Sequence, residues 1–187
     1  MPFIQTDFPG LLVFYPDVFG DDRGYFFESY NESTFSKNGK IDIKFVQDNQ
    51  ARSVYGVVRG LHFQNNPCAQ TKLIRSLQGN ILDVVVDLRI GSPSYGKVFS
   101  IELSAENKKQ LLVPHGFAHG YSVLSETAEV FYKCDNFYNK ETEGGIAYND
   151  PALEIDWKIP AGKMILSAKD VQHPVFSDCR HNFVFEH

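Results

Sequence analysis

The sequence is short of cysteine and arranges the little it has in no useful pattern. Cys68, Cys134 and Cys179 are scattered and odd in number. No CxxC pair exists, so neither a zinc knuckle nor a disulfide framework is indicated, and free thiols fit a reducing cytosol. Positive charge is also scarce. A formal net charge of −5 and a pI of about 5.6 argue against a nucleic-acid partner, although a local basic cluster could still hold a phosphate. No apolar run approaches the length of a membrane span. The stretch from Met1 to Asp7 lacks the basic and apolar regions of a signal peptide. Repeats, low-complexity tracts and linkers are missing, and no segment keeps an amphipathic 3.6-residue period over three turns. The expectation is one cytoplasmic domain over residues 1–187, long enough to bury a substantial core.

What the chain does contain is aromatic residues, at 14% with 16 Phe and 9 Tyr, and many short strand-like runs between Gly, Pro and Asn turns. Strands are expected at residues 8–15, Tyr25–Tyr30, Ile41–Gln50, Val98–Leu103, Gln110–Val113, Tyr121–Leu124, Glu129–Phe137 and Ile146–Tyr148. One or two helical turns are expected over Asn31–Lys37, capped by Asn31 or Ser33 and stopped at Asn38-Gly39. A further turn of helix is expected around Lys169. Gly144-Gly145 reads as the opening of a turn. The stretch from Lys72 to Arg89 reads as a β-hairpin about Gly79. The pattern predicts an all-β sandwich or barrel of jelly-roll type, with only a few short helical turns, rather than βαβ units.

The chemistry-bearing residues crowd just ahead of that hairpin. Arg59, His62, Gln64 and Lys72 share a short, otherwise apolar stretch. Along a strand Gly60, His62 and Gln64 would share one face. His62, His115 and His119 invite a metal reading, but no His-x-His pair exists, and Gly116 and Gly120 disfavour the helix that would align His115 with His119. Acid–base chemistry fits better: a His base, an orienting carboxylate and a cation where negative charge develops. Lys72 can be that cation. Tyr132 is a possible proton donor, though a strand tyrosine is more often packing. Asp170 sits in a polar tail where a carboxylate is usually solvated. Asp83 and Asp87 lie on an apolar strand and need partners, for which Arg75 and Arg89 are at hand.

In order along the chain stand Asp22-Arg23-Gly24-Tyr25-Phe26-Phe27-Glu28, Arg59-Gly60-Leu61-His62-Phe63-Gln64, Gln70-Thr71-Lys72-Leu73, Val86-Asp87-Leu88-Arg89, Leu103-Ser104-Ala105-Glu106-Asn107, Gly116-Phe117-Ala118-His119-Gly120 and Tyr132-Lys133. This set resembles the dTDP-4-dehydrorhamnose 3,5-epimerases, metal-free members of the cupin superfamily, from about residue 7 to residue 174. The resemblance implies a cupin-type jelly roll that epimerises a dTDP-linked 4-keto-6-deoxyhexose without cofactor or metal. It matches His62 to the base, Asp170 to the carboxylate orienting it, Tyr132 to the acid and Lys72 to the group at the ketone oxygen. Arg59, His119, Gln47 and Asn49 match substrate contacts, and Glu143 and Lys169 further binding positions. Arg23, Phe26 and Glu28 match residues that reach the nucleotide from a neighbouring subunit, which implies a homodimer. The sequence departs from the family at His115, in a variable slot, and at Tyr148, where Trp is more usual. An epimerase acting at C3 or C5 alone, a non-catalytic sugar-nucleotide binder and a metal-dependent cupin oxygenase are the rival readings.

Overall fold

The structure is a computed structural model and describes residues 3–39 and 42–186. Met1, Pro2 and Ile41, which fall in the N-terminal stretch and the expected Ile41–Gln50 strand, lie outside the described residues.

Most of the short alternating runs become strands, but Ile146–Tyr148 does not, and in the run expected over Ile41–Gln50 residues 42–46 are not strand, the strand starting at Gln47 and continuing to Val54. The strands are β1 (Phe3–Gln5), β2 (Leu12–Phe14), β3 (Val18–Asp21), β4 (Gly24–Phe27), β5 (Gln47–Val54), β6 (Val58–Gln64), β7 (Lys72–Gln78), β8 (Asn80–Asp87), β9 (Val98–Ser104), β10 (Gln110–Val113), β11 (Phe117–Val123), β12 (Thr127–Cys134) and β13 (Glu143–Gly145). A six-stranded sheet runs β1-β2-β10-β7-β12-β5, a five-stranded sheet runs β13-β6-β11-β8-β9, and β3 pairs with β4 alone. All the ladders are antiparallel. The one α-helix among the described residues, α1 (Glu32–Gly39), starts where Asn31 Oδ1 accepts the amide of Thr34 at 3.2 Å, so Asn31 and not Ser33 is the cap.

The two larger sheets close on each other as a sandwich. Ile74, Leu111 and Val130 from one meet Ile81, Val85 and Tyr121 from the other in a shared core. The opposite face of β8, with Leu82, Val84 and Val86, packs under Ile146, Leu153 and Trp157 of the later chain. Phe14, Leu73 and Leu112 on the outer face of the six-stranded sheet pack against Phe35 of α1. Each such aliphatic side chain, fully buried, contributes roughly 1.5–3 kcal/mol.

The hairpin expected over Lys72–Arg89 does not form. Strand β7 lies between β10 and β12 in one sheet, and β8 between β11 and β9 in the other. Both strands are apolar on two faces, so each needs partners on both edges, and consecutive strands reach that by crossing between sheets. Gly79 makes the crossing with φ 71°, where an added Cβ would sit 2.1 Å from the Thr127 carbonyl. Gly144 and Gly145 likewise belong to β13, paired with β6, and not to a turn. Their missing side chains leave room for the rings of Phe63 and His173.

Asp87 finds the partner expected of it. Its carboxylate accepts from Arg89 Nε and Nη2 at 2.9 and 2.7 Å and from the hydroxyls of Ser92 and Ser94 at 2.6 and 2.7 Å. Asp83 does not pair with Arg75. On β8 it faces the interior with Ile81 and Val85, whereas Arg75 faces outward on β7 and lies over the rings of Phe27 and Phe131. Burial pushes the Asp87 carboxyl up, but Arg89 and the two serines outweigh it and hold it below the ordinary value of 3.8. A depressed carboxylate contributes stability that is present above the unfolded pKa and is lost as pH falls through the folded one. Asp87→Ala, which removes the buried partner of the half-buried Arg89 guanidinium, is therefore expected to lower the urea-unfolding free energy by up to about 3 kcal/mol near neutral pH. The difference from wild type should shrink as the pH is taken below 3.8.

Candidate active site

The strand register builds the site. Strands β6 and β11 pair His62 with His119 and Arg59 with Tyr121, with a register shift between. Gly60 takes φ 119°, and a Cβ there would lie 2.6 Å from the Gly120 Cα. Regular alternation would send Arg59 and His62 to opposite faces of the sheet. The irregularity brings both to one cavity of about 370 Å³, lined also by Lys72, His119, Tyr132, Lys169 and Asp170. The expected shared face of Gly60, His62 and Gln64 holds only in part: His62 and Gln64 meet in an adjoining cavity with Gln47, Asn49 and Glu143.

His62 Nε2 donates to Asp170 Oδ1 at 2.5 Å, which leaves Nδ1 as the ring's lone pair. Asp170 opens a single turn of 3-10 helix, Asp170–Gln172, with Lys169 ahead of it. This is the helical turn expected around Lys169. Burial pushes the Asp170 carboxyl up, but the hydrogen bond and charge of His62, with Ser167 and His173, bring it below its ordinary value. It is a carboxylate built to stay charged.

Lys72 begins β7 with its Nζ 5.8 Å from the centre of the Tyr132 ring. Burial lowers the Lys72 pKa, against the opposing pull of Cys134, Asp83 and Glu143. Burial also pushes the Tyr132 hydroxyl up to about 12. The phenol thus keeps its proton through the neutral range. Around this pair, His119 Nε2 donates to Asp83 Oδ2 at 3.0 Å and Arg59 Nε donates to Ser53 at 3.1 Å. Gln47 Nε2 donates to Asn49 Oδ1 at 3.1 Å. Glu143 bridges to Lys169 and accepts the Tyr138 hydroxyl at 3.0 Å.

Three expected residues stand elsewhere. Arg23 and Phe26 lie on the β3–β4 ribbon around a separate cavity, with Arg23 held by Asp21. Glu28 follows the ribbon and accepts from Asn31 at 3.0 Å. His115 is also apart, on Asp135 at 2.8 Å, so it joins no ligand set with His62 and His119. Two neighbours escaped the sequence reading. Asp83 as the partner of His119 was legible only with the register of β8 and β11. His173, whose ring stands 5.4 Å from that of His62, had no signal beyond its place in the tail.

The family model for dTDP-4-dehydrorhamnose 3,5-epimerase matches residues 5–178. The chain belongs to this family. It is 51% identical over 170 residues to the dTDP-4-dehydrorhamnose 3,5-epimerase of Pseudomonas aeruginosa, covering 91% of this chain and 93% of that one. The crystal structure of the dTDP-4-dehydrorhamnose 3,5-epimerase from Elizabethkingia anophelis superposes with a TM-score of 0.91 at 53% identity, covering 95% and 97% of the two chains. A Legionella pneumophila epimerase in complex with dTDP-4-keto-L-rhamnose gives 0.90 at 42% identity, covering 95% and 93%. The cupin-type fold and the family both agree with the resemblance in the sequence.

A lysine whose charged form is disfavoured by burial lowers the stability of the fold that holds it at neutral pH. Lys72→Met, similar in volume and uncharged, is expected to raise the urea midpoint while turnover collapses. A lowered midpoint would mean that the acidic neighbours more than repay the burial.

Proposed function

We propose that this chain catalyses the 3,5-epimerisation of dTDP-4-dehydro-6-deoxy-D-glucose to dTDP-4-dehydro-L-rhamnose. The observation that carries the reading is the family match over residues 5–178 together with a His–carboxylate pair, a lysine and a protonated tyrosine around one cavity. The protons at C3 and C5 are both α to the C4 carbonyl, so removing either leaves an enolate on the same oxygen. His62 takes each proton through Nδ1, with Asp170 fixing the tautomer and stabilising the imidazolium. Lys72 faces the developing oxyanion from a site where little water competes, which strengthens the interaction. Tyr132 returns a proton to the opposite face. The reaction needs no redox change. Arg59, with its fork of donors, suits the diphosphate, and His119, Gln47, Asn49, Glu143 and Lys169 line the remainder of the cleft. The relatives named as 3,5-epimerases favour this reading over action at one carbon alone.

In the proposed cytoplasmic homodimer, Arg23, Phe26 and Glu28 complete the neighbour's nucleotide site. The β3–β4 ribbon supports this, since it carries Phe19 and Phe26 at 64% and 70% exposure, more than an isolated chain keeps in water without reason. Static light scattering at micromolar concentration is expected to give the mass of two chains; the mass of one would remove this assembly.

Turnover in deuterated water, followed by NMR, is expected to place deuterium at both C3 and C5. Deuterium at one carbon alone would establish a mono-epimerase. His62→Ala should lose about 10²–10⁴-fold in both exchange and product formation. Tyr132→Phe removes one hydroxyl and keeps the ring. It should still form the enolate but return the proton from the original face, giving exchange with retained configuration and slow inversion. A wild-type ratio of exchange to inversion would take Tyr132 out of the mechanism.

A further inference from the structure

Behind the His62 ring a second imidazole converges on the same carboxylate oxygen. His173 Nε2 lies 3.7 Å from Asp170 Oδ1, the oxygen to which His62 Nε2 is bonded, and the two rings meet edge to face at 72°. That 3.7 Å is too long for a hydrogen bond, and His173 Nε2 is a buried nitrogen with no hydrogen-bond partner in the structure. Such an atom calls for an explanation. The seat of the ring depends on residue 145 being glycine, since a Cβ there would come within 2.4 Å of it.

One nitrogen from each imidazole and one carboxylate oxygen lie within 4.8 Å of one another. We propose that His62, Asp170 and His173 form a binding site for a first-row divalent cation of the zinc type, and that an ion bound there switches the enzyme off.

The donor set is right for such an ion. Two neutral imidazoles and a carboxylate, with a fourth position left for water, are the ligands borderline cations select. Metal–ligand distances near 2.0–2.2 Å in a tetrahedral site put donor atoms about 3.3–3.5 Å apart, so the His62 and Asp170 atoms must open from their 2.5 Å contact by roughly 1 Å while the wider pair closes. The surrounding charge permits it. Lys169 is already paired with Glu143, and Lys72 is held by burial below an ordinary lysine. The cavity beside the His173 ring is also lined by Lys140, Asp178, Arg180 and Cys179, the last with its thiol on the carbonyl of Gly145.

The ion takes the place of the proton between His62 Nε2 and Asp170. A neutral imidazole keeps one N–H, so the displaced proton moves to Nδ1 and occupies the lone pair that faces the substrate. Arg59, His119 and Lys72 are untouched. Inhibition therefore falls on kcat and leaves KM in place. This last step rests on the reading of His62 as the base; the binding itself does not.

The test separates the two. Cobalt(II) titrated into the chelator-treated enzyme should give the visible bands of a four- or five-coordinate ion, and calorimetry with zinc should give one ion per chain. Zinc should lower kcat at constant KM, reversibly on adding EDTA. His173→Ala removes one ligand, and Gly145→Ala drives its ring from the seat. Each should weaken zinc binding about tenfold or more, with circular dichroism confirming the fold and His173→Gln as the volume-conserving control. An absence of stoichiometric binding, or unchanged affinity in both His173 variants, overturns the site. A rise in KM at constant kcat places zinc in the substrate cleft and overturns it equally. One ion bound per chain with kcat unaffected supports the site and overturns the role of His62 as base.

Discussion

The near-contact of Gly60 with Gly120 is the constraint from which the catalytic surface follows. Two backbones come close enough that neither can carry a side chain towards the other: a Cβ on Gly120 would lie 2.6 Å from the Arg59 carbonyl, as one on Gly60 would from the Gly120 Cα. The pairing of β6 with β11 slips there, and the slip undoes the two-residue alternation for one step. Arg59 and His62, three apart in sequence, then face the same cavity. A straight ladder would have delivered a histidine without its arginine. The cavity thus depends on what those two residues lack.

The cavity walls then set the protonation states. Lys72, Tyr132 and Asp170 all lie where burial disfavours charge, yet they come out differently. Burial dominates at Lys72 and Tyr132, weakening the ammonium and strengthening the phenol's hold on its proton. At Asp170 burial is again the largest single influence, but the hydrogen bond and charge of His62, with Ser167 and His173, together outweigh it and the charge persists. Environments that pull titratable groups apart in this way assign acid, base and electrostatic partner without any residue changing type. His119 and Asp83 repeat the His–carboxylate motif deeper in, both buried, and there His119 meets one oxygen, Oδ2, of a carboxylate that strand β8 turns inward.

Most of the site was legible in the sequence where it was local. Arg59, His62 and Lys72 crowd one stretch, and the all-β class follows from short runs and turn residues. The strand partners were not legible. Residues Lys72–Asp87 have the composition of a hairpin, and only the demand for partners on both edges of two central strands sends them to different sheets. The same blind spot hid the choice of Asp83 for His119, since pairing across strands is a property of register and not of spacing. Asp170 had no local signal at all. Its role came from the resemblance, and its geometry from a contact spanning 108 positions in the chain.

That long contact explains why the tail is part of the enzyme. His62 is on β6 and its carboxylate partner is on the chain after Ser167, so the pair exists only where the tail is docked. Docking is secured on both sides of Asp170. Upstream, Ile165 exchanges backbone hydrogen bonds with Gly56 and Val58 at 2.8 and 2.9 Å. Downstream, the carbonyl of Pro174 accepts the amide of Ala147 at 2.8 Å, and the Phe176 amide bonds the buried carboxylate of Asp150. Phe176 and Phe183 then join the apolar cluster on the outer face of the five-stranded sheet. The hydrophobic contacts that close that face are therefore the ones that hold Asp170 against His62. Burial on the outer face of the five-stranded sheet thus fixes the His62–Asp170 pair.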